Sequence, residues 1–132
     1  MSKLEHLVNA IARLNGMLDP ESVCYRLRNP LMLRSYAMPG KHEIDPSGAR
    51  IFGSVLNGYK AAMFDIELKA KGQSRANAGP ESTLEQFLRC YDIKTTAAVD
   101  NIVSFIRRAL QTQEVSRNTP MSYFLDSEDK QE

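Results

Sequence analysis

Residues 10–20 read Ala-Ile-Ala-Arg-Leu-Asn-Gly-Met-Leu-Asp-Pro, an apolar-striped run that closes on an amide, Asn15, and a glycine, Gly16. An amide can donate and accept hydrogen bonds, but it cannot usefully give up a proton to a reacting atom. Carboxylates lie nearby in sequence: Asp19 and Glu21 just beyond the run, Glu43 and Asp45 in the irregular stretch that follows. Asp19 reads most simply as a helix cap ahead of Pro20, and Glu21 as a first-turn charge favoured by the helix dipole. Glu43 and Asp45 read as solvated loop charges. Positive charge gathers in the same region, at Arg26, Arg28, Arg34, Lys41 and Arg50. Such a cluster either lines a groove for an anionic polymer or forms a solvated surface balanced by Glu21, Glu43 and Asp45; the second is the simpler reading. Tyr25, Tyr36, Tyr59, Tyr91 and Tyr123 offer ring faces on which sugars can stack, although Tyr59 and Tyr91 fall on apolar stripes and read as core.

Metal and thiol chemistry find little support. His6 and His42 sit in no HExxH or Cys/His spacing, and Cys24 and Cys90 form no CxxC pair. Two buried free thiols, no metal and no cofactor are the expectation.

The elements that must position these residues follow from periodicity and caps. Ser2-Lys3-Leu4-Glu5 matches a capping box, and Leu4, Leu7, Val8, Ile11, Leu14 and Leu18 keep helical spacing on one face. That helix is expected to stop near Asn15-Gly16, and Asp19-Pro20 to open a short second helix through about Leu27. Residues 28–53 contain Pro and Gly breaks, and LMLRSY with ARIF predicts a small hairpin. Ser54 caps a long helix with Val55, Tyr59, Ala62, Met63 and Ile66 on its inner face, ending at Gly72. Ser82-Thr83-Leu84-Glu85 reads as a second capping box, with Leu84, Phe87, Leu88 and Tyr91 inward. Thr95 caps a last long helix carrying Val99, Ile102, Val103, Ile106, Ala109 and Leu110. Thr119-Pro120 opens a final turn whose aromatics dock on the core. The fold class is therefore mainly α, with about five to six helices and a small β-hairpin. Residues 1–125 form one domain, and 126–132 an acidic disordered tail.

The bulk numbers agree with a single ordinary globular domain. The chain has 132 residues, 42% hydrophobic and 25% charged, with a formal net charge of +1. A length of this order buries roughly two thirds of the unfolded surface. The near-neutral charge makes duplex nucleic acid an unfavoured partner, since phosphate neutralisation supplies most of such affinity. No apolar run approaches the ~20 residues of a membrane span, and the amphipathic start lacks a signal-peptide apolar region. Synthesis in the cytoplasm is the expectation.

Several stretches, taken in order, resemble a family of phage and prophage lysozyme-like proteins, related to lytic transglycosylases, that act on peptidoglycan. They are Ala10-Ile11-Ala12-Arg13-Leu14-Asn15-Gly16-Met17, Pro20-Glu21-Ser22 and Arg28-Asn29-Pro30-Leu31-Met32-Leu33-Arg34. Phe52-Gly53-Ser54-Val55-Leu56-Asn57-Gly58-Tyr59-Lys60-Ala61 and Thr83-Leu84-Glu85-Gln86-Phe87 follow, with Thr119-Pro120-Met121-Ser122 a looser match. The resemblance implies a lysozyme-like α-rich domain with a sugar cleft between the helices and the hairpin. In the family a Glu at the end of the first helix is the general acid that protonates the glycosidic oxygen. Here that position is Asn15. After Asn29-Pro30 the family's Gly-Asn is replaced by Leu31-Met32, so the turn that floors the cleft is expected to be shaped differently. Met17 replaces the aromatic that usually follows the acid.

The resemblance thus implies a scaffold that has lost or weakened its reaction and binds peptidoglycan, another glycan or a protein. Asn15, Arg28, Asn29, Arg34 and Tyr36 are the implied substrate-binding residues. The alternatives are an active transglycosylase or muramidase using a displaced carboxylate, with Glu21 a weak substitute, and a small helical nucleic-acid-binding or regulatory protein. The segment 83–110 has a helix-turn-helix spacing, but its second helix offers few base-reading side chains. Without a signal peptide, reaching a cell wall would take a phage particle or another export route.

Overall fold

The structure is a computed structural model that describes residues 1–34 and 43–126. Tyr36, Lys41, His42 and the tail from residue 127 lie outside the described residues. The chain is mainly helical, with one small antiparallel hairpin. In order it forms α1 (Lys3–Leu14), α2 (Val23–Leu27), β1 (Glu43–Ile44), β2 (Arg50–Ile51), α3 (Val55–Ala70), α4 (Leu84–Leu88), α5 (Thr96–Leu110) and α6 (Ser122–Leu125), with a 3-10 turn at Arg89–Tyr91 after α4.

α1 starts where the Ser2 hydroxyl accepts from the Glu5 N–H at 3.0 Å while the Glu5 carboxylate accepts from the Ser2 N–H at 2.6 Å. It buries Leu4, Leu7, Val8 and Ile11, and lies against α5 and α3. Each such side chain contributes roughly 1.5–3 kcal/mol of burial before entropic costs. α5 meets it with Val99, Ile102, Val103 and Ile106, as the spacing predicts, and Leu110 packs at the edge of the core, whereas Ala109 is exposed. α6 returns to α1 and α3 and seats Phe124 in the same cluster. Its approach is fixed by backbone pairing: Leu84 N–H donates to Thr119 O at 2.8 Å, and Met121 N–H to Ser82 O at 2.8 Å.

Several boundaries differ from expectation. α2 begins at Val23, capped by Ser22, whose hydroxyl accepts from the Tyr25 N–H at 3.2 Å. Asp19 instead closes a turn of its own by accepting from the Glu21 N–H at 3.0 Å. Both residues are good caps, and Pro20 fits either arrangement. The second capping box is one residue later than its pattern: Thr83 is the cap and Gln86, not Glu85, reaches back to it. The inner face of α3 is Gly58, Ala61, Ala62, Asp65, Ile66 and Ala70, while Val55 is exposed in the first turn. The hairpin pairs Glu43 with Ile51 and Ile44 with Arg50. The expected partnership of the 31–36 stretch with ARIF is limited, among the described residues, to an isolated bridge between Arg34 and Ala49.

Two glycines permit close crossings. A Cβ on Gly58 would stand 2.0 Å from the Arg28 carbonyl oxygen, so the end of α2 rests directly on the backbone of α3. Gly16 has φ +101°, and a Cβ there would meet the Ser22 Cβ at 2.7 Å. Together they fold residues 15–34 back onto α1 and α3.

Candidate functional site

An open groove of about 2110 Å³ runs between the end of α1, the 31–34 loop, the C-terminal half of α3, the 74–77 loop, the 3-10 turn and the start of α5. Its walls are side chains placed by helix ends and by hydrogen-bonded loops.

Asn15 caps α1 and lines this groove. Its backbone is helical (φ −76°, ψ −8°), its carbonyl accepts from the Cys24 thiol at 2.9 Å, and its side-chain Nδ2 donates to Pro30 O at 2.9 Å. The amide therefore ties the end of α1 to the following loop. Desolvation, the main cause, pushes the Cys24 thiol up, so it acts as a neutral donor there.

Asn29 is fully buried, and its side chain is spent on backbone: Nδ2 donates to Leu33 O at 3.0 Å and Arg50 O at 2.9 Å, and Oδ1 accepts from the Leu33 N–H at 2.8 Å. It pins the loop to β2 and faces no ligand. Arg28 takes φ +54° as the cap of α2 and donates Nε–H to Phe52 O at 2.8 Å. Neither residue lines the groove; each shapes the loop behind it. Arg34 does line the groove, is exposed, and also donates to the Ser47 carbonyl. Met32 adopts φ +54°. A left-handed residue thus stands where the resemblance places an Asn, at a cost of roughly 1–2 kcal/mol for a side chain of this kind. Leu31 is buried, and Met17, seated beside Ala12 and Cys24, fills a small second apolar cluster. Tyr36, the remaining residue implied by the resemblance, lies outside the described residues.

Glu21 is exposed in the 19–22 turn and does not line the groove. The carboxylates that do are Asp65 and Asp92. Asp92 pairs with Lys94 at 3.0 Å in solvent. Asp65 is the one charged side chain buried among the described residues. Its Oδ2 accepts from Lys69 Nζ at 2.7 Å and from the Tyr91 hydroxyl at 2.7 Å. Burial first, then the adjacent Asp65, drive the Tyr91 phenol far above its ordinary value, so it remains a proton-bearing donor. Sequence reasoning missed Asp65. The signal was present: Asp65 interrupts an inner face otherwise formed by Gly58, Ala61, Ala62, Ile66 and Ala70, with a lysine one turn later.

Of the four tyrosines among the described residues, Tyr91 alone stands in the groove wall, as a buried residue with Lys69 Nζ over its ring, 4.4 Å from the centroid. The remaining groove cations are Arg34, Arg75, Arg89 and Lys94. The solvent face of α5 presents Ala97, Asp100, Asn101, Ser104 and Arg108, with Asp100 held by Arg117 at 2.7 Å; it is not a basic recognition face. No grouping of His, Cys, Asp and Glu among the described residues could hold a metal, and none of their helices is long and apolar enough to cross a membrane. Compared with protein-family models, curated proteins and solved structures, the chain has no match.

Proposed function

We propose that this chain is a lysozyme-like domain that binds peptidoglycan or a related glycan without cleaving it. The supporting observation is Asn15, an amide at the end of α1 on the groove wall, where the resemblance implies a general acid. Glycoside cleavage needs a neutral carboxyl group that releases its proton to the leaving oxygen. A carboxamide offers N–H donors but no transferable proton, and loss of a general acid costs ~10²–10⁴ in rate. The displaced-carboxylate alternative gains little from the geometry. Glu21 is away from the groove, and Asp65 and Asp92 are each engaged by a lysine as acceptors.

The test compares wild type, Asn15→Glu and Asn15→Ala on purified cell walls, following turbidity, released muropeptides and co-sedimentation. All three should sediment with the walls. Wild type and Asn15→Ala should release nothing, and any gain should come from Asn15→Glu alone. Clearing by wild type would overturn the non-cleaving reading, and failure to sediment would overturn the glycan-binding one.

A further inference from the structure

Asp65 stands on the inner face of α3 where an apolar side chain would extend the stripe. Exchanging a buried ion pair for apolar residues of similar volume is often neutral or stabilising, so the pair with Lys69 is poorly explained by stability alone. Its geometry is specific. Lys69 and Tyr91 both donate to Oδ2, which fixes the plane of the carboxylate and leaves Oδ1 outside these bonds. Asp65 keeps 12% of its side chain exposed, and Oδ1 is not among the sealed atoms that lack a partner. Asp65, Lys69 and Tyr91 all stand in the wall of the groove. An anchored carboxylate therefore presents one open acceptor to whatever occupies the groove.

The surroundings select the kind of donor. Lys69 already balances the charge of Asp65, and Arg34, Arg75 and Arg89 share the groove, so a cationic ligand is disfavoured. The ring of Tyr91 is buried under Lys69, which leaves hydrogen bonding rather than stacking as the means of recognition on this wall. We propose that Asp65 is a ligand-orienting residue of the groove, its Oδ1 accepting a hydrogen bond from a hydroxyl or acetamido N–H of a saccharide, with Lys69 and Tyr91 as positioning residues. This rests on the glycan-binding reading and adds to it the residue that orients the sugar.

The full chain would be titrated with N-acetylglucosamine tetramer and with soluble peptidoglycan fragments, by calorimetry and by carbon-13 NMR of the aspartate carboxyl groups. Wild type should bind, and the Asp65 carboxyl resonance should shift on saturation. Asp65→Asn, which turns its oxygen to Lys69 and Tyr91 and presents an NH₂ to the groove, should bind about tenfold or more weakly, the scale of one hydrogen bond to a charged group. Tyr91→Phe should lose less, about two- to fivefold, because the acceptor remains but is held by Lys69 alone. Equal binding by folded Asp65→Asn overturns the role of Asp65 and leaves glycan binding standing. Absence of wild-type binding to either probe overturns both. If Asp65→Asn fails to fold, the wild-type resonance decides: no shift on saturation overturns the proposal.

Discussion

The helical core and the described residues between Asn15 and Phe52 are held together by different balances of forces. In the core, Leu7, Ile11, Ile66, Phe87, Leu88, Ile102 and Ile106 are all at 0% exposure, and the helices meet through apolar faces. Among the described residues of 15–34 and 43–52, Leu31, Leu33 and Phe52 reach into that core, and the rest of the backbone is tied by side chains bonded to it: Asn15 to Pro30, Arg28 to Phe52, Asn29 to Leu33 and Arg50, Ser22 to Gly16. Apolar burial is non-directional and scales with area, whereas a hydrogen bond fixes position and angle. The groove takes its base from the first region and much of one wall from the second. A binding surface of fixed shape needs the second kind of restraint where its chain has little regular structure.

Substitutions in the two regions should separate these roles. Phe87→Ala removes a fully buried ring from the core and should cost about 3–5 kcal/mol, seen as a lower melting temperature of the whole domain. Asn29→Ala deletes three hydrogen bonds and strands buried backbone groups, for roughly 2–4 kcal/mol. Its effect should fall first on amide exchange in residues 29–34 and 49–52, with α1 and α5 protected. Uniform loss of protection in Asn29→Ala would show that the two regions are one cooperative unit. The smallest effect contrasts two capping boxes. Glu5 is held below its ordinary 4.5 mainly by the Ser2 backbone N–H, with slight desolvation opposing and the Ser2 hydroxyl helping, whereas the box at α4 uses Gln86 and does not titrate. A depressed folded value means that the contribution is complete above the unfolded value and fades as pH falls through the folded one. Glu5→Gln should therefore cost at most a few tenths of a kcal/mol at neutral pH, since solvent screens this exposed contact, with the gap to wild type closing in thermal melts as pH falls through the lowered folded value.

Much of the core was legible in sequence because burial leaves a period. The stripes of α1 and α5 and the caps Ser2, Ser54 and Thr95 stand as expected, except that Leu18 lies beyond the end of α1 and is exposed, as is Ala109 near the end of α5. The inner face of α3 was harder, since small residues and one carboxylate hide it from an apolar pattern; Gly58 is there for the Arg28 carbonyl, not for hydrophobicity. Adjacent cap-forming residues also compete, which moved the start of α2 to Ser22 and the box of α4 to Thr83. For the candidate site, Asn15 and Arg34 were singled out and both line the groove. Asn29 was singled out for the same reason but is sealed inside the loop, because a composition rich in polar residues does not reveal whether a side chain turns to solvent or to backbone. Asp65 and Tyr91 meet across 26 positions of sequence, beyond the reach of any local pattern.

The cap geometry at the end of α1 also bears on how the protein ages. Asn-Gly pairs ordinarily convert to aspartate or isoaspartate as the glycine nitrogen attacks the amide carbon, ammonia leaves and water opens the succinimide ring that results. At Asn15-Gly16 that nitrogen is directed at Arg13 O at 3.1 Å, and the amide is tethered to Pro30. At Asn57-Gly58 the nitrogen is committed to Ser54 O at 3.1 Å within α3. Ring closure at either pair must first break these bonds, so the folded chain resists drifting toward an acid at residue 15 over its lifetime.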